Sequence, residues 1–157
     1  MDKIYSIIYT KKPNKLLGGL TMINVIIGEK GTGKTAKLIE AVHIAEKAAT
    51  GSVVFINKGK RHVLDLSHSV RLVDTEEYGM SSYEEFFGFV CGILSQNYDI
   101  AHIFIDSITK IVNDDMAAFE KFLDRISVVA EKSNAEIQII LSMNPADASE
   151  GIKKYVK

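Results

Sequence analysis

Two spacings of apolar residues alternate along this chain. Dense, largely aliphatic runs occupy 22–27, 52–56, 100–105 and 135–141. Runs of this kind, apolar on both sides, predict strands buried in a parallel sheet. Val70-Arg71-Leu72-Val73 alternates apolar and polar instead, which predicts an edge strand. Between these runs the spacing changes to three and four. Ala36, Leu38, Ile39, Val42, Ala45 and Ala49 form one stripe, predicting a helix from near Lys34 to about Ala49 with Gly51 as its C-cap. Phe86, Phe89, Val90, Ile93 and Leu94 form a second, opened by the capping box Ser82-x-x-Glu85 and ending near Tyr98. Met116, Phe119, Phe122, Leu123, Ile126, Val129 and Ala130 form a third, with Asn113 and Asp114 expected to cap it. Residues 63–69 read as irregular, and Asp147 to Val156 as a short terminal helix with a lysine-rich end. Strand and helix thus alternate throughout. That predicts an α/β fold in three layers, a mainly parallel sheet with helices on both faces.

Residues 1–21 break the pattern. Ile4 to Tyr9 is apolar but too short for a signal-peptide core, and Lys11 to Lys15 and Gly18-Gly19 are loop-like. We expect an N-terminal extension over 1–21 and a nucleotide-binding domain over 22–157. Met22 stands where the first strand begins, so it is an alternative start, and Gly18-Gly19 is what a purine-rich ribosome-binding sequence would encode.

The turn after the first strand carries the chemistry. Gly28-Glu29-Lys30-Gly31-Thr32-Gly33-Lys34-Thr35 fits G-x-x-x-x-G-K-[ST] without a mismatch, between a strand and a helix as the pattern requires. Its glycines allow turns that a Cβ forbids, aiming successive N–H groups inward as a nest for phosphate. Lys34 is placed to meet the β- and γ-phosphates, and the Thr35 hydroxyl to meet Mg²⁺. The helix that begins there, with Ala36 in its first turn, adds the positive end of its dipole. The expected ligand is ATP or GTP with Mg²⁺. Strand 100–105 runs into Asp106, a second metal-associated group expected to act on Mg²⁺ through water.

Composition changes this picture little. The chain has 157 residues, 46% hydrophobic and 25% charged, enough for one domain with a full core. A net charge of −1 gives no overall pull towards nucleic acid or an anionic membrane, so any such contact is local. The single Cys91 excludes an internal disulfide and fits a reducing cytoplasm. No apolar run reaches membrane-spanning length. His43, His62, His68 and His102 have no ligand-like spacing with one another or with Cys91, so no zinc site is expected.

Gly28–Thr35, Phe55–Asn57, Ile103–Ser107 and Ile139–Asn144 together resemble the RecA-like branch of P-loop NTPases. Closer still, the chain resembles small single-domain bacterial ATP-binding proteins that consist of little more than this core. The resemblance covers about residues 22–145. It implies a five-stranded sheet in the order first, fifth, fourth, second, third, with Lys34 and Asp106 as the catalytic pair. It also implies what is missing. RecA-like ATPases carry a water-polarising Glu at or just past the second strand, where this chain has Asn57, Lys58 and Gly59. Related ATPases place Glu directly after the second-motif Asp, where this chain has Ser107. Glu76 or Glu77 is left as a candidate base, and Ser142 or Asn144 as a sensor of the γ-phosphate.

Lys58, Lys60, Arg61 and His62 should emerge at the carboxyl edge of the sheet. There they meet phosphate, a partner's ligand, single-stranded nucleic acid or only solvent. Three functions compete. The first is an ATP-binding switch or assembly module with slow or partner-stimulated hydrolysis, acting with a protein partner or as a homo-oligomer. The second is a nucleotide or small-molecule kinase, disfavoured by only three scattered arginines, Arg61, Arg71 and Arg125. The third is a nucleic-acid-dependent RecA-like ATPase, disfavoured by the near-neutral charge.

Overall fold

Strands β1 (Ile23–Gly28), β2 (Ser52–Asn57), β3 (Val70–Asp74), β4 (Ile100–Ile105) and β5 (Glu136–Ser142) form one sheet in the order β1-β5-β4-β2-β3. All four pairings are parallel. The computed structural model describes residues 22–48 and 51–157, so the expected extension over 1–21 and the end of the first helix at Ala49 lie outside the described residues. β3 is an edge strand, as its alternation predicts.

The period-two geometry of the strands divides the core into two layers. Val53, Phe55, Val70, Phe104 and Ile140 pack with Leu38, Val42 and Ala45 of helix α1 (Lys34–Ala48). Val54, Ile56, Ile103, Ile105, Ile137 and Ile139 face the other way. They meet helices α2 (Tyr83–Gln96) and, after the one-turn helix α3 (Ile108–Ile111), α4 (Met116–Ser133). Burying a side chain such as Phe55 or Phe104 stabilises the fold by roughly 1.5–3 kcal/mol, against about 0–1 for an exposed ion pair. Apolar spacing therefore dictates this architecture. The capping box at Ser82 and Glu85 is present as predicted.

Four local expectations need correction. Ala36 is exposed, and of the described members of its stripe only Leu38, Val42 and Ala45 are buried. Asp115, not Asn113 or Asp114, caps α4. Its carboxylate accepts from Ala118 N at 2.7 Å, while Asp114 is occupied by Asp115 N at 2.8 Å. The turn α3 was unforeseen because four residues carry no readable period. The terminal segment is not one helix over Asp147 to Val156. A 3-10 turn at Pro145–Asp147 and a single turn α5 (Glu150–Lys153) lead into an extended end. There Val25 N donates to Tyr155 O at 2.8 Å and Val156 bridges Val25, covering the open edge of β1.

That end is tied down by Asp124. Lys154 Nζ lies 2.7 Å from its carboxylate and Tyr155 Oη donates to it at 2.8 Å. The Lys154 hydrogen bond, aided by Tyr155 and outweighing the opposing effect of burial, holds the Asp124 carboxyl below its ordinary 3.8. A carboxyl lowered by folding stabilises fully above its unfolded value and loses that contribution as pH falls below it. Asp124→Asn should therefore lower the melting temperature by about 1–3 °C at neutral pH. The difference should narrow in melts run at pH values falling progressively below 3.8. A gap that persisted there would show that the contact is not ionic.

Candidate nucleotide-binding site

β1 ends at Gly28, whose carbonyl accepts from Met143 N at 3.1 Å, pinning the start of the loop to the chain leaving β5. A Cβ on Gly28 would lie 2.9 Å from Thr32 Oγ1 and 3.3 Å from Lys34 Cδ, so a side chain there would have to displace these two. Gly31 and Gly33 take φ of +84° and +80°, the left-handed region that other residues resist. Thr32 Oγ1 donates to Glu29 O at 2.8 Å across the loop, and Lys37 N donates to Gly33 O as α1 begins. Glu29, Lys30, Gly31, Thr32 and Gly33 are exposed around a backbone curved to take an anion.

Lys34 is the tenant of that curve. Its position at the helix start leads one to expect a solvent-facing side chain, but it is only 8% exposed. Its stem runs beneath Gly28, and Nζ donates to Glu29 O at 2.6 Å and lies 3.3 Å from Thr32 Oγ1. A lysine whose aliphatic carbons fill a glycine turn is buried by the same close approach that the glycines permit.

Thr35 and Asp106 meet although 71 residues separate them. Thr35 Oγ1 donates to Asp106 Oδ1 at 3.0 Å, and Ser107 Oγ lies 3.2 Å from the same oxygen. Asp106 is 6% exposed, and its own N–H donates to Ile56 O at 2.9 Å, fixing it between the ends of β4 and β2. Ser107 then turns the chain with φ of +52° into α3. The other carboxylate oxygen faces His62, whose Nε2 is 3.4 Å away. The His62 ring stands edge-on to Phe55, and its Nδ1 lies 3.1 Å from Asp65 Oδ2.

Around this pair lies a cleft of about 200 Å³ lined by Thr35, Asn57, Lys58, Arg61, His62, Asp106, Ser107 and Lys110. Lys58, Arg61 and Lys110 make no ion pair with the described residues, so a cationic rim surrounds one carboxylate. Such a rim suits a polyphosphate. Among the described residues no three His, Cys, Asp or Glu side chains gather as a metal cage. The donor set instead fits Mg²⁺, which keeps waters and binds through one or two protein oxygens plus substrate phosphates. Thr35 and Asp106 are the groups that would hold it.

The remaining candidates do not line the cleft. Glu76 and Glu77 sit on the turn after β3, with the Glu76 carboxylate beside Gly59, and neither lines the cleft. Ser142 pairs in register with Gly28, and the Asn144 side chain accepts from Ala146 N at 2.9 Å to cap the next turn. Burial pushes the Cys91 thiol up, opposed by Arg125, which leaves it a poor nucleophile. The sequence places His62 at the carboxyl edge of the sheet but not against Asp106, and it gives no sign of Lys110, which lines the cleft from the turn α3.

No protein-family model and no curated protein matches this sequence. Among solved structures the chain is similar to PCH-2 of C. elegans, with a TM-score of 0.57 and 14% identity, over 99% of this chain and 40% of that one. It is also similar to the flagellar accessory protein FlaH of Methanocaldococcus jannaschii, with a TM-score of 0.48 and 15% identity, over 87% of this chain and 67% of that one. The chain thus spans well under half of PCH-2, and a likeness at 14% identity concerns the fold alone. The strand order and this likeness establish an α/β fold built on a five-stranded parallel sheet in the order β1-β5-β4-β2-β3.

Proposed function

We propose that this chain binds ATP or GTP with Mg²⁺ and works as a nucleotide-dependent switch or assembly module of the RecA-like branch, hydrolysing slowly until a partner completes the site. One observation carries the reading. The hydroxyl that follows the phosphate-loop lysine and the carboxylate ending β4 converge to 3.0 Å at a cation-rimmed cleft. The loop N–H groups and Lys34 bind the phosphates. Thr35 and Asp106 hold Mg²⁺, which supplies charge neutralisation when bound. The strand order supports the RecA-like branch, and the lone Cys91 supports a cytoplasmic setting.

Slow turnover follows from the groups around the cleft. Phosphoryl transfer to water needs a water held in line and a group to draw its proton. Among the described residues Asp106 is the one carboxylate lining the cleft, and it is engaged by Thr35, Ser107 and His62. A missing general base costs a factor of about 10² to 10⁴. Of the three arginines only Arg61 lines the cleft among the described residues, so the arginine-rich lid of a kinase is not assembled. No helix among the described residues is long and apolar enough to cross a membrane.

Steady-state phosphate release from purified protein tests this. The expected rate is far below the usual enzyme range of about 1–10³ s⁻¹. Brisk unaided turnover, lost in Glu76→Gln or Glu77→Gln, would make the chain a self-sufficient ATPase.

A further inference from the structure

We propose that the turn at 62–65, with the cationic rim beside it, docks a protein partner that covers Leu64 with an apolar pocket and sets an aspartate or glutamate against Arg61. The inference rests on the reading above, in which a partner completes the site, and names that partner's chemistry. Asp65 N donates to His62 O at 3.1 Å, closing a turn with Val63 and Leu64 at its corners. Turn corners favour Gly, Asn and Asp. Here they carry two aliphatic side chains, 47% and 97% exposed. A lone exposed apolar residue is ordinary, but two in succession at the tip of a turn make a ridge that burial against an apolar surface would stabilise.

The ridge is tied down on all sides. Beneath it, His62 Nδ1 lies 3.1 Å from Asp65 Oδ2 and Nε2 lies 3.4 Å from Asp106 Oδ2. Upstream, Gly59 N donates to Asp74 Oδ1 at 2.7 Å. Downstream, Leu66 packs against the core cluster around Phe55, and the Ser67 and Ser69 hydroxyls donate to Glu46 of α1. A surface held in place loses little entropy when it is covered. Arg61 leads directly into the turn and lines the cleft with Lys58 and Lys110. In the proposed site the phosphates have Lys34 and the loop N–H groups, so the rim is left to attract a further anion. Its sign selects an acidic partner. Nucleic acid shares that charge but does not match the aliphatic ridge. Single strands are held by aromatic faces under their bases, and the His62 ring at the rim stands edge-on to Phe55 between two carboxylates.

Short random peptides displayed on phage are the probe, selected on the full chain with Mg²⁺ and a non-hydrolysable ATP analogue. The selected sequences should combine Asp or Glu with Leu, Ile, Val or Phe. Made synthetically, such a peptide should lose about tenfold or more in affinity on Leu64→Ser, the effect of leaving one leucine uncovered. Arg61→Ser should cost a similar factor through the lost charge. Leu64 is exposed, so Leu64→Ser should fold as the parent does and keep its affinity for the analogue. Selection of no peptide, or of peptides that bind Leu64→Ser as tightly as the parent, overturns the docking surface. So does binding of oligo(dT) that Arg61→Ser abolishes and Leu64→Ser leaves intact, which would assign the rim to nucleic acid. Calorimetry with the analogue alone is read separately. A parent chain that binds no analogue overturns the nucleotide reading, and dependence of peptide binding on Leu64 then decides the docking surface by itself.

Discussion

Replacing Lys34 with alanine should abolish measurable binding of Mg²⁺-nucleotide. The side chain has two duties. Its Nζ, 2.6 Å from Glu29 O and 3.3 Å from Thr32 Oγ1, sits where the loop gathers its N–H groups, so phosphate oxygens entering the curve meet a fixed cation. Hydrogen bonds to charged groups contribute about 1.5–3 kcal/mol each, and two such contacts to phosphate amount to an affinity change of about 10²- to 10⁴-fold. The stem beneath Gly28 also braces the loop from inside. Because Lys34 is buried, Lys34→Ala should also cost about 2–4 °C in melting temperature, the effect of losing about 1 kcal/mol of packing by the buried aliphatic stem. Lys34→Met keeps the stem and should recover most of that stability without recovering binding. Calorimetric titration with a non-hydrolysable analogue and parallel thermal melts read both effects. Parent-like affinity in Lys34→Ala would remove the phosphate loop from the account.

Asp106→Asn should act through the metal alone. Asparagine keeps the shape that accepts from Thr35 Oγ1 and Ser107 Oγ but gives up the charge. Loss of a single oxygen-based contact near a metal typically lowers affinity by about 10–10²-fold. The variant should lose that much in Mg²⁺ and fall to the affinity the parent shows in chelator, while its own metal-free affinity stays within about threefold. An equal drop with and without Mg²⁺ would assign Asp106 a purely structural part, bracing Thr35 and His62.

The two-layer core was legible because it depends on which residues are apolar, and spacing records that directly, whereas the strand order came from the resemblance. Phe55 and Val53 face α1 while Val54 and Ile56 face α2 and α4, as strict alternation requires. The phosphate loop was legible because glycine eases the closure at Gly28 and takes the positive φ of Gly31 and Gly33. What escaped are contacts between side chains from segments with no period. The approach of His62 to Asp106 depends on an irregular stretch between β2 and β3. The burial of Lys34 depends on how tightly a glycine turn closes. The Asp115 cap depended on competition among neighbouring polar residues, which composition does not rank.

In the proposed site, the loop at Gly28–Thr35 and Asp106 act together as one metal-dependent nucleotide site. Titration of the unmodified chain with a non-hydrolysable ATP analogue, in Mg²⁺ and again in chelator, tests it most directly. Saturable one-to-one binding that tightens by about 10–10²-fold in Mg²⁺ is the predicted result. Absence of binding in both buffers, or identical affinity in the two, would contradict it.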